Sequence, residues 1–406
     1  MIRFFIATCV CLISIVGQAG AQSVVIRPDR LREGDEKTRN VTLEASVAPG
    51  ASLSVAVSYR SDPAAAGSSF IPKFSVQDNT SEDRDPQDGK IRLVLPRAFD
   101  RTGVYLIEID DRREVLSLVH EPNNTSYFRQ FADWLVKAAG GGERGLDPVS
   151  ALERIEELTR NKGQDNVAVW IAPMPAAGQE IEPKSLKLNI RSALMPSWSR
   201  YQNHLACSAW QNGKWRIAAY AINQARVANQ LWQWNSPGPG GSDFSPAWSP
   251  NGDGVVFVRL DNEQKSDIWI LELDRKRRPT KEIRVTTIGN VQAILGWDKD
   301  VGIVFETKSP IDGHSSIRQV WALKPAVPTT QVTPLSDGYS VIRGGAPKRG
   351  TLIYTVEKNS PPFSLLYEMN SSGSSRLLLV GETCTHRWPT VSSDERWLAF
   401  DSDCPH

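Results

Sequence analysis

A tryptophan-centred motif recurs about every 45–50 residues through the second half of this 406-residue chain. Seven short β-type runs fall within the first hundred or so residues. Two more β runs stand just before the first motif copy, where the last, truncated copy has no counterpart. Together these predict a mainly β protein: an immunoglobulin-like β-sandwich, a short two-helix linker, and a β-propeller closed by strands from both ends of the repeat region. Five blades are expected, with six as the alternative.

The first 21 residues read as an export signal. Arg3 supplies the charged start, Phe4 to Val16 is mostly apolar, and Ala19-Gly20-Ala21 fits a small-residue cleavage site. Cleavage near Ala21 predicts a periplasmic or secreted protein. No later apolar run reaches the length of a membrane span, so no transmembrane segment is expected after cleavage. The formal net charge is +1, with both signs mixed along the chain. No basic stripe is present, and nucleic acid is not an expected partner.

Residues 22–122 are expected to form the sandwich. The runs are Ser23–Arg27, Val41–Val47, Leu53–Tyr59, Lys73–Val76, Ile91–Leu95, Val104–Ile109 and Glu114–His120. Leu53-Ser54-Val55-Ala56-Val57-Ser58-Tyr59 alternates apolar with small or polar residues, as a half-buried strand does. Residues 123–164 are expected to form the linker. Tyr127, Phe128, Phe131, Trp134, Leu135 and Ala138 share a face at helical spacing. A second helix has Asp147 as its N-cap, Pro148 at its first position, and a buried face of Leu152, Ile155 and Leu158.

Residues 165–406 carry the repeats. The fullest copy is Pro246-Ala247-Trp248-Ser249-Pro250-Asn251-Gly252 to Val256-Phe257. Trp198, Trp248 and Trp297 are 50 and 49 residues apart, and Ala346 and Val391 take the same place in the fourth and fifth copies. Each of the first four copies continues with two further β runs. These are Trp215–Ala221 and Leu231–Trp234, Asp267–Leu273 and Ile283–Thr286, Gln319–Leu323 and Gln331–Thr333, then Leu365–Met369 and Arg376–Val380. The fifth copy lacks two strands, and Val167–Ile171 with Leu186–Ile190 are expected to supply them. Such closure removes open sheet edges. The motif Pro is expected to start the inner strand, where no ladder donor is needed. The Trp is expected to pack between neighbouring blades. Asn251-Gly252-Asp253-Gly254 lacks the spaced carboxylates of a calcium loop and reads as a hairpin turn.

The segment Pro246 to Gly252, with Asp267-Ile268-Trp269 after it, resembles the repeats of the TolB-like propeller family. The resemblance covers roughly residues 165–406. It implies a propeller of the bacterial envelope that binds protein partners, often at the mouth of the central channel.

An oxidising compartment makes the cysteines informative. Pairing Ser392 with Trp397 in the last hairpin puts residues summing to about 789 opposite one another; Cys384 and Cys404 sum to 788. A disulfide between them is expected at the hairpin's open end, and Cys207 is expected to be a buried free thiol.

No catalytic constellation is recognisable. There is no G-x-S-x-G elbow and no H-x-x-x-H, H-E-x-x-H or C-x-x-C pattern. The chain is therefore read as a non-enzyme with no cofactor and no metal. His386 and His406 flank the cysteine pair and are read as surface or rim histidines rather than a two-His metal site. Register nominates a channel rim of Asp243, Gln292, Arg343, His386 and Arg387 as the binding face. The expected function is a protein-binding scaffold of the envelope; a carbohydrate-binding or polysaccharide-processing protein is the alternative, with a small-molecule or glycan ligand. A third reading, a hydrolase or lyase, requires His386, Asp243 and an arginine to cluster.

Overall fold

The computed structural model describes residues 23–27, 31–32, 39–61, 67–78, 89–101, 103–110, 112–119, 151–160, 167–175, 186–190, 192–200, 202–236, 241–299, 302–311, 315–324, 331–337, 342–346, 351–358, 360–370 and 374–404. Among these, backbone alone is described at 31–32, 112–119, 186–187, 308–311, 315–320, 324, 331–337, 342–346 and 352. The expected signal segment, the helix around Phe131, and the capping pair Asp147 and Pro148 lie outside the described residues.

The N-terminal strands are β1 (Ser23–Arg27), β2 (Leu31–Arg32), β3 (Thr42–Ser46), β4 (Ser52–Arg60), β5 (Ser68–Gln77), β6 (Lys90–Val94), β7 (Gly103–Ile109) and β8 (Arg112–Val119). They form a three-stranded sheet, β1-β3-β6, and a five-stranded sheet, β2-β8-β7-β4-β5. Leu43, Ala45, Ile91 and Leu93 of the first sheet share one apolar cluster with Leu53, Val55, Tyr105 and Ile107 of the second. Period-2 alternation produces this: Leu53, Val55 and Val57 of β4 are buried, and the residues between them are not. All seven expected runs are strands. The short β2, too brief to carry a periodicity, is an eighth.

Helix α1 (Ala151–Arg160) follows. It buries Ala151, Arg154, Ile155 and Leu158, whereas Leu152, expected on that face, is only half-buried. Its apolar residues join the cluster of Leu194, Met195, Phe244, Leu295 and Trp388.

The repeats form five four-stranded antiparallel sheets. Strands β9 (Ala168–Pro173) and β10 (Leu186–Lys187) precede them. The first sheet is β11 (Ala193–Trp198), β12 (His204–Gln211), β13 (Lys214–Ile222) and β14 (Ala228–Gln233). The second is β15 (Ser242–Trp248), β16 (Gly254–Leu260), β17 (Ser266–Leu273) and β18 (Pro279–Arg284). The third is β19 (Val291–Asp298), β20 (Gly302–Ile311), β21 (Ser315–Lys324) and β22 (Gln331–Asp337). The fourth is β23 (Ile342–Ala346), β24 (Thr351–Glu357), β25 (Ser364–Asn370) and β26 (Ser375–Gly381). The fifth joins β27 (His386–Val391) and β28 (Trp397–Ser402) to β9 and β10, in the order β10-β9-β28-β27. The two upstream runs thus complete the last sheet. Within the other four, strands follow chain order, as in propeller blades. The first strands pack side by side in cyclic order: β11 on β15, β15 on β19, β19 on β23, β23 on β27, and β27 on β11.

Trp198 packs with Val169, Ile171 and Ala399 of the fifth sheet, and Trp248 with Ala206, Ala219 and Trp232 of the first. Both Trp side chains therefore fill gaps between sheets. The motif proline, by contrast, does not start its strand. Pro196, Pro246 and Pro389 each lie at least three residues inside β11, β15 and β27. In all three the ladder slips at this point, and the residue before the proline adopts positive φ: 55° at Met195, 55° at Ser245 and 47° at Trp388. The proline sits in a β-bulge, where a missing N–H leaves no ladder bond unmade. At Asn251–Gly254 the Ser249 hydroxyl bonds Asp253 Oδ1 at 2.6 Å and accepts the Asp253 and Gly254 amides at 3.0 Å. These bonds build the expected hairpin turn.

Candidate functional site

Of the positions expected to rim the channel, Asp243, Gln292 and His386 are buried and Arg387 is half-buried. Asp243 is 0% exposed. Its carboxylate takes a two-pronged pair from Arg259, at 2.6 Å from Nε and 3.2 Å from Nη2, with Arg216 of the first sheet at 3.6 Å. The same guanidinium reaches across the sheet to Glu282 at 3.0 Å, and it lies over the ring of Trp269. Glu282 in turn accepts Trp234 Nε1 at 2.7 Å and Ser236 Oγ at 2.8 Å. Burial pushes the Asp243 carboxyl up, against the pull of Arg259. Burial also opposes the charge on Arg259, but hydrogen bonds to Asp243 and Glu282 raise its pKa all the same. Asp243 therefore has no surface to offer a ligand. It cements the first sheet to the second.

A second polar network lies where the fifth sheet meets the fourth. Arg387 donates to Glu357 at 3.1 Å and Asp403 at 3.2 Å, and Arg154 of α1 approaches Asp403 at 3.7 Å. Asp401, 1% exposed, accepts the Met195 amide at 2.8 Å. Burial pushes its carboxyl up to about 7, partly offset by that hydrogen bond and by Arg387 and Arg154. His386 is buried, with Nδ1 3.0 Å from Ser402 Oγ, and desolvation lowers its pKa to about 4. Gln292 is buried and donates to the Asn290 carbonyl at 3.3 Å. The Arg343 side chain lies outside the described residues. Asp243 and His386, the proposed hydrolytic pair, belong to separate networks: Asp243 bonds Arg259, and His386 bonds Ser402.

Cys384 and Cys404 form a disulfide with Cα atoms 4.9 Å apart. The register explains the pairing. Val391 opposes Leu398, the ladder slips by one at the proline bulge, and His386 then opposes Ser402, a sum of 788. Gly381 permits the loop that brings Cys384 there. A Cβ at this position would collide with the Cys384 carbonyl and the Ser364 hydroxyl. Cys207 is a free, fully buried thiol whose pKa is raised by desolvation.

Equivalent rows of the first and second sheets end in side chains of different size. In the first sheet one row runs Ser197, Ala206, Ala219, Trp232; in the second it runs Ala247, Val256, Ile270, Ile283. Ile283 therefore stands where Trp232 stands. Likewise Trp234 donates its amide to Ile217 and Val285 donates its own to Ile268, so Val285 replaces Trp234. Between the first and second sheets Trp232 meets Trp248 edge-on, with centroids 6.3 Å apart. Between the second and third sheets the smaller side chains leave a groove of about 880 Å³. Half-buried Trp297, Ile270, Ile283 and Val285 form its apolar wall, and exposed Asn251, Glu272, Thr280, Arg284 and Lys299 its rim. Gly254 lies against the Trp297 ring, where even a Cβ would stand only 3.7 Å away. The lining thus combines an apolar wall with polar and charged groups of both signs.

No family model matches the chain, and no curated protein matches it in sequence. Solved structures with some likeness include TolB from Acinetobacter baumannii, at 12% identity over 74% of this chain and 76% of that one, with a TM-score of 0.34. A TolB-type structure from Agrobacterium tumefaciens shares 13% identity over 60% of this chain and 100% of its own, again at 0.34. Zg3597, a family 117 glycoside hydrolase from Zobellia galactanivorans, shares 8% identity over 59% of this chain and 92% of its own, at 0.33. At these values the likenesses carry no functional weight, and the mainly β architecture rests on the sheets described above. Among the described residues no helix is long and apolar enough to cross a membrane.

Proposed function

We propose that this chain is a non-enzymatic binding scaffold of the cell envelope: an immunoglobulin-like sandwich followed by a closed, five-bladed TolB-like propeller that holds a protein partner. The observation that carries this reading is the groove between the second and third sheets, left open where the neighbouring interface is filled by Trp232 and Trp234. Its apolar wall suits an inserted aliphatic or aromatic side chain, and its mixed-charge rim suits the polar backbone of an extended segment. Of the channel positions, Gln292, Arg343, His386 and Arg387 stay candidate contacts within the same reading. The half-exposed indole of Trp297 favours a second reading, a glycan stacked on that ring.

A photo-crosslinking residue placed at Glu272 tests the proposal in native envelope. A discrete adduct is expected, and it should disappear when Ile283→Trp and Val285→Trp fill the groove as the first interface is filled. An adduct that survives the filling removes the groove from the function. A crosslink to polysaccharide instead selects the second reading.

A further inference from the structure

The open end of the last hairpin carries more than a disulfide. One donor atom each from Cys384, Cys404 and His386 lie within 4.8 Å of one another, and two of the three residues are buried. Cys384-Thr385-His386 is a Cys-x-His step, and the sequence repeats that step at Cys404-Pro405-His406, whose last two residues lie outside the described residues. Two thiolates and an imidazole are the donor set of a thiophilic cation, and hard cations such as Mg²⁺ and Ca²⁺ are poor matches for it.

Ser402 organises the three donors. Its Oγ accepts the Cys404 amide at 3.1 Å, stands 3.0 Å from His386 Nδ1, and donates toward Cys384 Sγ at 4.0 Å. With the imidazole proton on Nδ1 and donated to Ser402, Nε2 is left as the lone-pair donor. Such a partner on the far nitrogen is how metal-ligating histidines are held. The nearby carboxylate is already engaged, because Asp403 accepts the Thr385 amide and pairs with Arg387.

We propose that, once the disulfide is reduced, Cys384, Cys404 and His386 bind Zn²⁺, so that the hairpin end exchanges a covalent clasp for a metal clasp. A dithiol reductant supplies two electrons and two protons to the S–S bond and becomes a disulfide itself. The cation then displaces both thiol protons to water and bonds the two thiolates. On a tetrahedral ion with Zn–S bonds of about 2.3 Å, the two sulfurs stand roughly 3.7 Å apart. Rotation about the cysteine side-chain bonds supplies that separation without moving Cα atoms that are 4.9 Å apart. This site lies in the fifth sheet and owes nothing to the groove between the second and third.

The test uses the full chain, reduced with a dithiol, desalted without oxygen, and titrated with Co²⁺ and then Zn²⁺. A thiolate-to-cobalt charge-transfer band saturating at one equivalent and bleached by Zn²⁺ is expected. It should be absent from the oxidised protein and from Cys404→Ser, and His386→Ala should weaken Zn²⁺ binding at least about tenfold. No band in the reduced wild type, or an undiminished band in Cys404→Ser, overturns the proposal. A second measurement does not depend on how the variants fold. Zn²⁺ should protect Cys384 and Cys404 of the reduced wild type from iodoacetamide, read by peptide mass mapping. Equal labelling with and without Zn²⁺ refutes the site.

Discussion

Replacing Asp401 with asparagine should change how stability depends on pH. The carboxyl is fully buried and titrates near 7, against 3.8 for a free side chain. Between those values the folded state keeps a proton that the unfolded state has lost. Stability is therefore lost as pH rises through this window, at about 1.4 kcal/mol per pH unit, reaching roughly 4 kcal/mol once the group is ionised. Arg387 and Arg154 face Asp401 and oppose this trend, while Asp403 reinforces it; all three act within the quoted shift. The substituted amide keeps an oxygen for the Met195 N–H and carries no charge. Near pH 4 the variant should match the wild type to within about 1 kcal/mol; by pH 8 it should be the more stable by up to roughly 4 kcal/mol. Urea unfolding followed by tryptophan fluorescence from pH 4 to 8 measures the difference. Parallel stability profiles for the two proteins would refute the reasoning. So would a variant that loses ground as pH rises, because that would mean the two arginines outweigh desolvation.

Asp243→Ala leaves Arg259 buried without its main partner and should cost about 3–5 kcal/mol in urea unfolding, far more than Lys265→Ala, whose partner Glu263 is exposed. Substituting alanine for both Cys384 and Cys404 should cost about 3 kcal/mol, from the loop of 20 residues that the bond closes. Iodoacetamide should leave Cys207 unlabelled in the native protein and label it in urea, since the thiol is fully buried and its pKa raised. Trp248→Ala should cost about 3–5 kcal/mol, because the ring fills the gap between the first two sheets.

Much of this was legible in one dimension because β hairpins are local. The motif around Trp248, with Trp198 and Trp297 spaced 50 and 49 residues to either side, sets the period, and the sum rule for opposed residues in an antiparallel pair places Cys384 against Cys404. The same rule applied to the second sheet opposes Asp243 to Arg259, so the sequence already carries a signal of the buried pair. The proline was misplaced because a strand-starting proline and a bulge proline satisfy the same donor rule; only the strand's continuation to Ala193, Ser242 and His386 separates them. Nothing in the sequence marks Arg154 as buried: it pairs with Glu157 one turn along its own helix, as an exposed arginine does, and its approach to Asp403 comes only from the fold.

The sequence by itself pointed to the strands within each repeat, the donation of two upstream strands to the last sheet, and the disulfide, and it left five or six blades open. All of these follow from period, alternation and register, which are properties of neighbouring residues. Only the tertiary structure decided which polar side chains are free to act. Asp243 looked like a rim residue by register, but full burial next to Arg259 consumes its charge. The groove beside Trp297 came into view only when Ile283 and Val285 were seen to stand in the places of Trp232 and Trp234. Whether a side chain fills a gap or leaves one depends on the face opposite it, and that face comes from a different repeat.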